Sequence, residues 1–317
     1  MVSSIYERPF MQPLRGILFK LIAVMCFITM TSLIKAASPH VPPGEAVFFR
    51  SLFALPIILS WLAMRGDLRT GLKVEAPMNH IWRGFAGTIS MGSIFAGLAY
   101  LPLPEVTALQ YAMPLLVVVF AAMFLNEKVG LFRIGAVVLG LIGVLIVLAP
   151  RVTALSGDTV QTMEAVGAII VLFGAVCGAL AQIYIRKMVQ VEQVSAIVFW
   201  FSCTSTVMAL MTLPFGWVIP SRAETVMLIT AGLIGGAGQI FLTSSYRFAH
   251  ASLVAPFDYA SMLFAILIGY FIFAEVPTLQ MLGGATLIIL AGIAIILRER
   301  HLGIQRSKAR QAKLPYG

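Results

Sequence analysis

Charge is scarce in this sequence. Asp, Glu, Lys and Arg make up only 11% of its 317 residues, against roughly a quarter in soluble domains. Cysteine is scarce too. Cys26, Cys177 and Cys203 each lie inside an apolar run, which excludes a disulfide framework and a zinc-ligand spacing. His40, His80, His250 and His301 are scattered and form no metal motif. Neither a Walker phosphate loop nor a nucleophile elbow occurs, so no ATP site and no cofactor are expected. Long polar stretches are missing as well, which leaves no room for a soluble domain and excludes extensive disorder.

What is present is apolar. Hydrophobic residues reach 60% and the mean hydropathy is +0.96. A soluble globule of this length could not hide so much apolar surface, so the fold class expected is an all-α polytopic membrane protein. A spanning helix needs ~20 mostly apolar residues. Runs of that kind cover approximately 16–37, 44–64, 82–100, 104–124, 130–149, 164–186, 194–213, 225–246, 252–274 and 278–297, about ten helices. The first run follows Arg8 and Arg15, and Ala36-Ala37-Ser38 resembles a signal cleavage site. It exceeds a signal core of about 7–15 residues and Lys35 precedes the site, so it reads as a retained span.

The net charge is +9, and its distribution points to membrane topology rather than to nucleic acid. One set of alternate loops holds Arg8, Arg15, Arg65, Arg69, Lys73, Arg83, Lys128, Arg133, Arg186, Lys187 and Arg247, and the tail adds six more cations. The opposite loops hold only Arg151 and Arg222. Lys and Arg favour the cytoplasmic side, which places both termini there. The basic tail is expected to be disordered and either to anchor topology or to touch anionic lipid.

The two halves resemble each other. Aligning them pairs Val106 with Val254, Tyr111 with Tyr259, Glu127 with Glu275 and Gly135 with Gly283. Small changes of offset pair Lys35 with Arg186, Phe48 with Phe199, Ser51 with Ser202, Gly92 with Gly238 and Tyr100 with Tyr246. Five spans per repeat is an odd number, so the second repeat enters the membrane inverted, a common plan for secondary transporters. The expected organisation is a segment 1–15, a first five-helix repeat 16–149, a linker 150–163, a second repeat 164–297 and a tail 298–317.

Several stretches carry a family resemblance. They are Ala46-Val47-Phe48-Phe49-Arg50, Leu109-Gln110-Tyr111-Ala112-Met113-Pro114, Asn126-Glu127-Lys128, Ala255-Pro256-Phe257-Asp258-Tyr259 and Phe273-Ala274-Glu275-Val276-Pro277. Together they resemble the drug/metabolite transporter superfamily, in its EamA-type ten-helix branch, over nearly the whole chain. The resemblance implies two five-helix halves around a central cavity lined by the first, third and fourth helices of each half. Members of the family move amino acids, vitamins such as riboflavin, S-adenosylmethionine, metallophores or drugs. Alternating access across a bacterial inner membrane is the expected function, with a small-molecule substrate, the bilayer and a coupling proton as partners and the oligomeric state open.

An ionisable residue inside a span is a functional suspect. Arg50, with Glu45 and Lys35 at the same expected outer level, reads either as an outer charge cluster fixing helix ends or as a site for a carboxylate or phosphate. Asp258, between Pro256 and Tyr259, reads either as a binder of a cation or proton or as an interfacial acid paired with Arg247. Glu127 and Glu275 read as caps of the helices that follow them. Tyr100, Gln110, Tyr111, Trp200, Gln239, Ser244, Tyr246 and Tyr259 combine aromatic faces with amide and hydroxyl groups, which suits a flat amphipathic solute. Gly174 with Gly178 and Gly232 with Gly236 have the spacing of close helix contacts. Pro114 and Pro256 are the expected hinges. With the resemblance, a riboflavin-like vitamin ranks first, then S-adenosylmethionine or amino acids. Rivals are an amino-acid or drug exporter, an intramembrane lipid-modifying enzyme and a membrane scaffold.

Overall fold

Apolar runs punctuated by proline set the helices. The computed structural model describes residues 13–68, 70–125, 130–153, 159–188, 191–248 and 255–311, and the regular structure there is helical. The helices of the first half are α1 (Pro13–Ala37), α2 (Pro43–Leu52), α3 (Ala54–Met64), α4 (Pro77–Leu98), α5 (Leu103–Gln110), α6 (Ala112–Leu125) and α7 (Leu131–Thr153). Those of the second are α8 (Thr159–Met188), α9 (Val194–Leu210), α10 (Arg222–Phe248), α11 (Ala260–Phe273) and α12 (Leu279–Gln311). Short 3-10 turns occupy Leu213–Phe215 and Ala255–Tyr259.

Six helices or helix pairs are long and apolar enough to cross a bilayer: Leu14–Ala37, Pro43–Met64, Leu103–Phe124, Thr162–Ile185, Arg222–Leu242 and Leu279–Arg298. Ile134–Pro150, Val194–Leu210 and Phe257–Phe273 are shorter apolar helices. The chain is therefore a polytopic, all-helical membrane protein.

Three expected spans are not continuous helices. The run 44–64 breaks at Phe53 and the run 104–124 at Tyr111. In both, a proline stands three residues past the break, Pro56 and Pro114 respectively. Proline has no N–H to close the helical bond to the residue four before it, so the helix restarts. The run 252–274 enters through the 3-10 turn Ala255–Tyr259, which contains Pro256, before α11 begins. At the other end α12 runs on to Gln311. The stretch expected to be a disordered tail thus continues a helix as far as that residue, because Arg, Glu, Lys, Ala and Gln propagate an existing helix at little cost.

Helix ends carry their own caps. At α10, Ser221 and Glu224 form a capping box: the Glu224 amide donates to the Ser221 hydroxyl at 3.3 Å, and the Ser221 amide donates to the Glu224 carboxylate at 2.7 Å. Ala274 adopts a left-handed φ of 53° and closes α11, with the Glu275 amide donating to the Gly269 carbonyl at 2.9 Å.

Packing crosses between the halves. α1 packs on α10, α8 on α4, α2 on α9, α5 on α11 and α7 on α12. Glycines allow the closest approaches. Added methyls at Gly174 and Gly178 would meet Ser93 and Met113, and at Gly232 and Gly236 they would meet Phe53 and Ala54. The short α5 is the most enclosed element, with Leu103 through Leu109 all buried.

Candidate functional site

The repeat-related tyrosines meet where helices break. Tyr111 closes α5 and Tyr259 ends the 3-10 turn before α11. Their rings lie edge to face with centroids 5.0 Å apart. The Ser261 hydroxyl donates to the Asp258 carbonyl at 2.7 Å. It therefore accepts from the Tyr111 hydroxyl, 2.6 Å away. The backbone on either side of Asp258 is thus fixed by a short polar chain.

The Asp258 carboxylate stands 2.7 Å from the Nζ of Lys20. Lys20 lies about two turns into α1 and its side chain is 1% exposed, whereas that of Asp258 is 47% exposed. The amine is sealed in the bundle while the side chain of the acid is about half covered. Charge attraction is strong where water is excluded, so the pair holds α1 to the break before α11.

A second charged locus lies between α2, α4 and α9. The Arg83 guanidinium carbon sits 3.5 Å from the centroid of the Phe201 ring, and that of Arg50 lies 5.7 Å from it. Both arginines are buried, at 6% and 5% exposure. Arg50 Nε, Arg83 Nε and Arg83 Nη1 have no hydrogen-bond partner.

Lys35, Glu45 and Arg50, expected to share one outer cluster, each have partners of their own. Lys35 pairs with Glu275 at 2.8 Å and donates to the carbonyls of Leu101 and Leu98 at 2.7 and 3.3 Å. Glu45 accepts from the Val218 amide at 3.1 Å, and Arg50 turns inward to Phe201. The other oxygen of Glu275 accepts from the Leu103 amide at 2.8 Å. It caps α5, in the opposite half, rather than the helix that follows it. Glu127 lies outside the described residues.

The expected substrate set divides similarly. Gln110 is partly buried beside Tyr111 at the end of α5. Tyr100 is exposed at the turn after α4, packed against Gly167. It adjoins the carbonyls that hold Lys35, and Lys35 is about 22 Å from Lys20 along α1. Trp200 donates its indole N–H to the Leu72 carbonyl at 3.1 Å and so anchors a loop. Gln239 lies in a narrow crevice with Trp61 and Ser195, and Ser244 is partly buried on α10. The side chains of Tyr246, Arg247 and Pro256 lie outside the described residues. Pro114 is exposed in the first turn of α6.

Lys20, Arg83 and Ser261 were not singled out from the sequence. Lys20 carried a signal, since it is an ionisable residue within an apolar run. Arg83 reads as a topology charge for a span beginning at 82, whereas α4 starts at Pro77. Among the described residues no group of three His, Cys, Asp or Glu is placed to hold a metal.

A connecting loop is docked nearby. The Glu192 carboxylate accepts from the amides of Glu75 and Ala76 at 2.9 and 2.7 Å and lies 3.3 Å from His80 Nε2. It caps the start of α4, where a carboxylate is favoured. Ser195 donates to the Gly71 carbonyl at 2.7 Å.

Comparison with known proteins gives a consistent family. The EamA-like transporter family matches residues 14–149 and again 165–298. The pseudopaline exporter CntI of Pseudomonas aeruginosa (strain UCBPP-PA14) is 29% identical over 281 residues, covering 88% of this chain and 95% of the relative. An S-adenosylmethionine uptake transporter of Rickettsia felis is 28% identical, covering 81% of this chain and 83% of its own. A riboflavin transporter of Rhizobium johnstonii is 26% identical, covering 90% and 89%. A crystal structure 20% identical in sequence superposes with a TM-score of 0.64 over 90% of this chain and 98% of that one, a likeness of fold.

Proposed function

The chain belongs to the EamA-like transporter family, matched in each half, and from that premise we propose a secondary transporter that moves a small amphipathic or aromatic metabolite by alternating access. The observation that carries the proposal is the Lys20–Asp258 pair beside the Tyr111–Tyr259 contact. It joins a half-exposed acid, a sealed amine and two aromatic edges at paired helix breaks. A flat solute fits against the rings, and its cationic group or a coupling proton takes the place of Lys20 on Asp258. Irregular backbone of this kind at membrane depth is what solute sites in transporters use.

Two inverted five-helix repeats fit the crossed packing. In each crossed pair one member has its counterpart in the other half, as a twofold axis in the membrane plane would arrange. The six long spans, the three shorter helices and α4 together make up the ten-span reading. The loop cations support two cytoplasmic termini, and the bacterial relatives support the inner membrane. Rocking of the halves would expose the site to each side in turn, with the backbone at Pro114 and Pro256 taking up the change.

A riboflavin-like vitamin is the first substrate reading, supported by the tyrosine edges and by the relative named for riboflavin. S-adenosylmethionine and amino acids come next. Export is the second reading, favoured by the relative named an exporter. Proteoliposomes containing the purified chain test both. Labelled riboflavin, S-adenosylmethionine and amino acids are offered at several pH values, and the recovered solute is checked for chemical change. The expected result is saturable flux of one class, unchanged in structure, with a loss on the order of a hundredfold in Asp258→Asn and an altered pH profile. Full flux with an unchanged profile in that variant would remove Asp258 from the site.

A further inference from the structure

Arg50 and Arg83 approach the same ring from different directions. Arg50 lies about 10 Å into α2, Arg83 about 9 Å into α4, and Phe201 about 10 Å into α9. The three therefore converge well inside the bundle, where α2 and α4 of the first half face α9 of the second. Arginine keeps its charge at any ordinary pH, and Arg50 is close enough to Arg83 to repel it. Two like charges buried together are unfavourable unless a counter-charge joins them, and a ring face recovers only part of that cost.

No carboxylate among the described residues supplies the counter-charge. Among the described residues no hydrogen bond or ion pair reaches either guanidinium. Glu45 accepts from the Val218 amide, and Glu192 meets two amides and His80 through one oxygen while its other oxygen is buried without a hydrogen-bond partner. The surroundings favour an oxygen-rich guest. Ser51 and Ser202 follow Arg50 and Phe201 at matching places in the two halves, and both hydroxyls are buried without a partner. Glycines let neighbouring side chains close around the charges: a methyl at Gly87 would meet Phe201 at 2.8 Å and one at Gly235 would meet Met30 at 2.6 Å. The same methyls would lie 3.3 Å from Arg83 Nη1 and 3.5 Å from Arg50 Nε.

We propose that Arg50 and Arg83, with Phe201 behind them, form an oxyanion site between the halves that takes the carboxylate or phosphate group of the transported solute. The inference rests on the transporter reading and narrows its substrate class to metabolites bearing such an anion. A guanidinium fork matches both carboxylate and phosphate geometry, so the two are separated by experiment.

The full chain is purified into neutral phosphatidylcholine nanodiscs and melted at fixed ionic strength. Probes are benzoate against benzamide, succinate against succinamide, phenyl phosphate against benzyl alcohol, and inorganic phosphate. A bound anion raises the melting temperature where its neutral counterpart does not, and the more effective series names the group. Arg50→Gln and Arg83→Gln are each expected to weaken that effect on the order of tenfold or more. Their melting temperature without probe stays the same or rises, whereas a purely structural arginine would lower it. Should the Gln variants not fold, Arg50→Lys and Arg83→Lys make the same test by keeping charge and losing the fork.

The proposal is overturned if no anion outperforms its neutral counterpart, or if the variants respond like wild type. It is also overturned if phosphatidylglycerol discs alone give the shift and soluble anions add nothing, since the guest is then a lipid phosphate. Flux is scored separately. Carriage of a neutral solute, unaffected by anions, sinks the oxyanion site and leaves the transporter standing. Anion binding without flux of any solute does the reverse.

Discussion

Single charged residues in this protein are held by partners distant in sequence. Lys35 lies in the last turn of α1, yet its amine is fixed by two carbonyls at and just beyond the end of α4 and by Glu275 beyond α11. Glu275→Gln keeps an acceptor for the Leu103 amide and removes the charge opposite Lys35. We expect a loss of about 1.5–3 kcal/mol in unfolding free energy, the range for a charged hydrogen bond, read from reversible denaturant unfolding in detergent. Glu192 gives a pH test. Burial opposes its ionisation, but the amides of Ala76 and Glu75 and the neighbouring His80 outweigh that and hold its pKa below the usual carboxylate value. A lowered folded pKa stabilises the protein above the unfolded value, about 4.3, and that contribution is lost as pH falls through the folded value. The wild-type melting temperature should therefore drop more between about pH 5 and pH 3 than that of Glu192→Gln. Asp258 and the Tyr111–Tyr259 pair were legible in the sequence, the one as a charge in an apolar run, the other as a repeat match. Lys20 and Arg83 were not, because both lie close to a basic segment. Position along the chain does not separate a cation that leans out to water from one that turns inward.

At the level of helices, proline placement decides where a span is continuous. Pro114 withholds the N–H that would reach the Gln110 carbonyl, and α5 stops at Tyr111 as a result. In Pro114→Ala that bond can form and join α5 to α6. The added bond is worth about 0.5–1.5 kcal/mol, so the expected variant melts no lower than wild type while its solute flux falls. A continuous helix would draw Tyr111 away from Ser261. Unchanged flux would show that the break serves packing alone. Most spans were legible as apolar runs, and the small-residue pairs correctly marked close contacts. The breaks at Phe53 and Tyr111 were not, since mean hydropathy is blind to a single missing hydrogen-bond donor. The continuation of α12 to Gln311 escaped for the opposite reason: charged residues look like tail to a hydropathy argument but are good helix formers once a helix is under way.

Across the whole molecule, sequence symmetry was visible before any geometry, but which helix meets which was not. Apolar spans in order along a chain permit many bundles, and only side-chain shape selects the partners. The chosen arrangement has α1 against α10, α8 against α4 and α7 against α12, so much of each half's apolar surface is buried in the other. We therefore expect that neither half folds by itself. Expressed alone, residues 1–153 or 159–317 should be degraded or aggregate. Produced together as two polypeptides, they should find each other, copurify and restore solute flux. Stable, soluble behaviour of one fragment in detergent would contradict this. On that expectation the molecule would behave as two mutually dependent subunits that happen to be tethered.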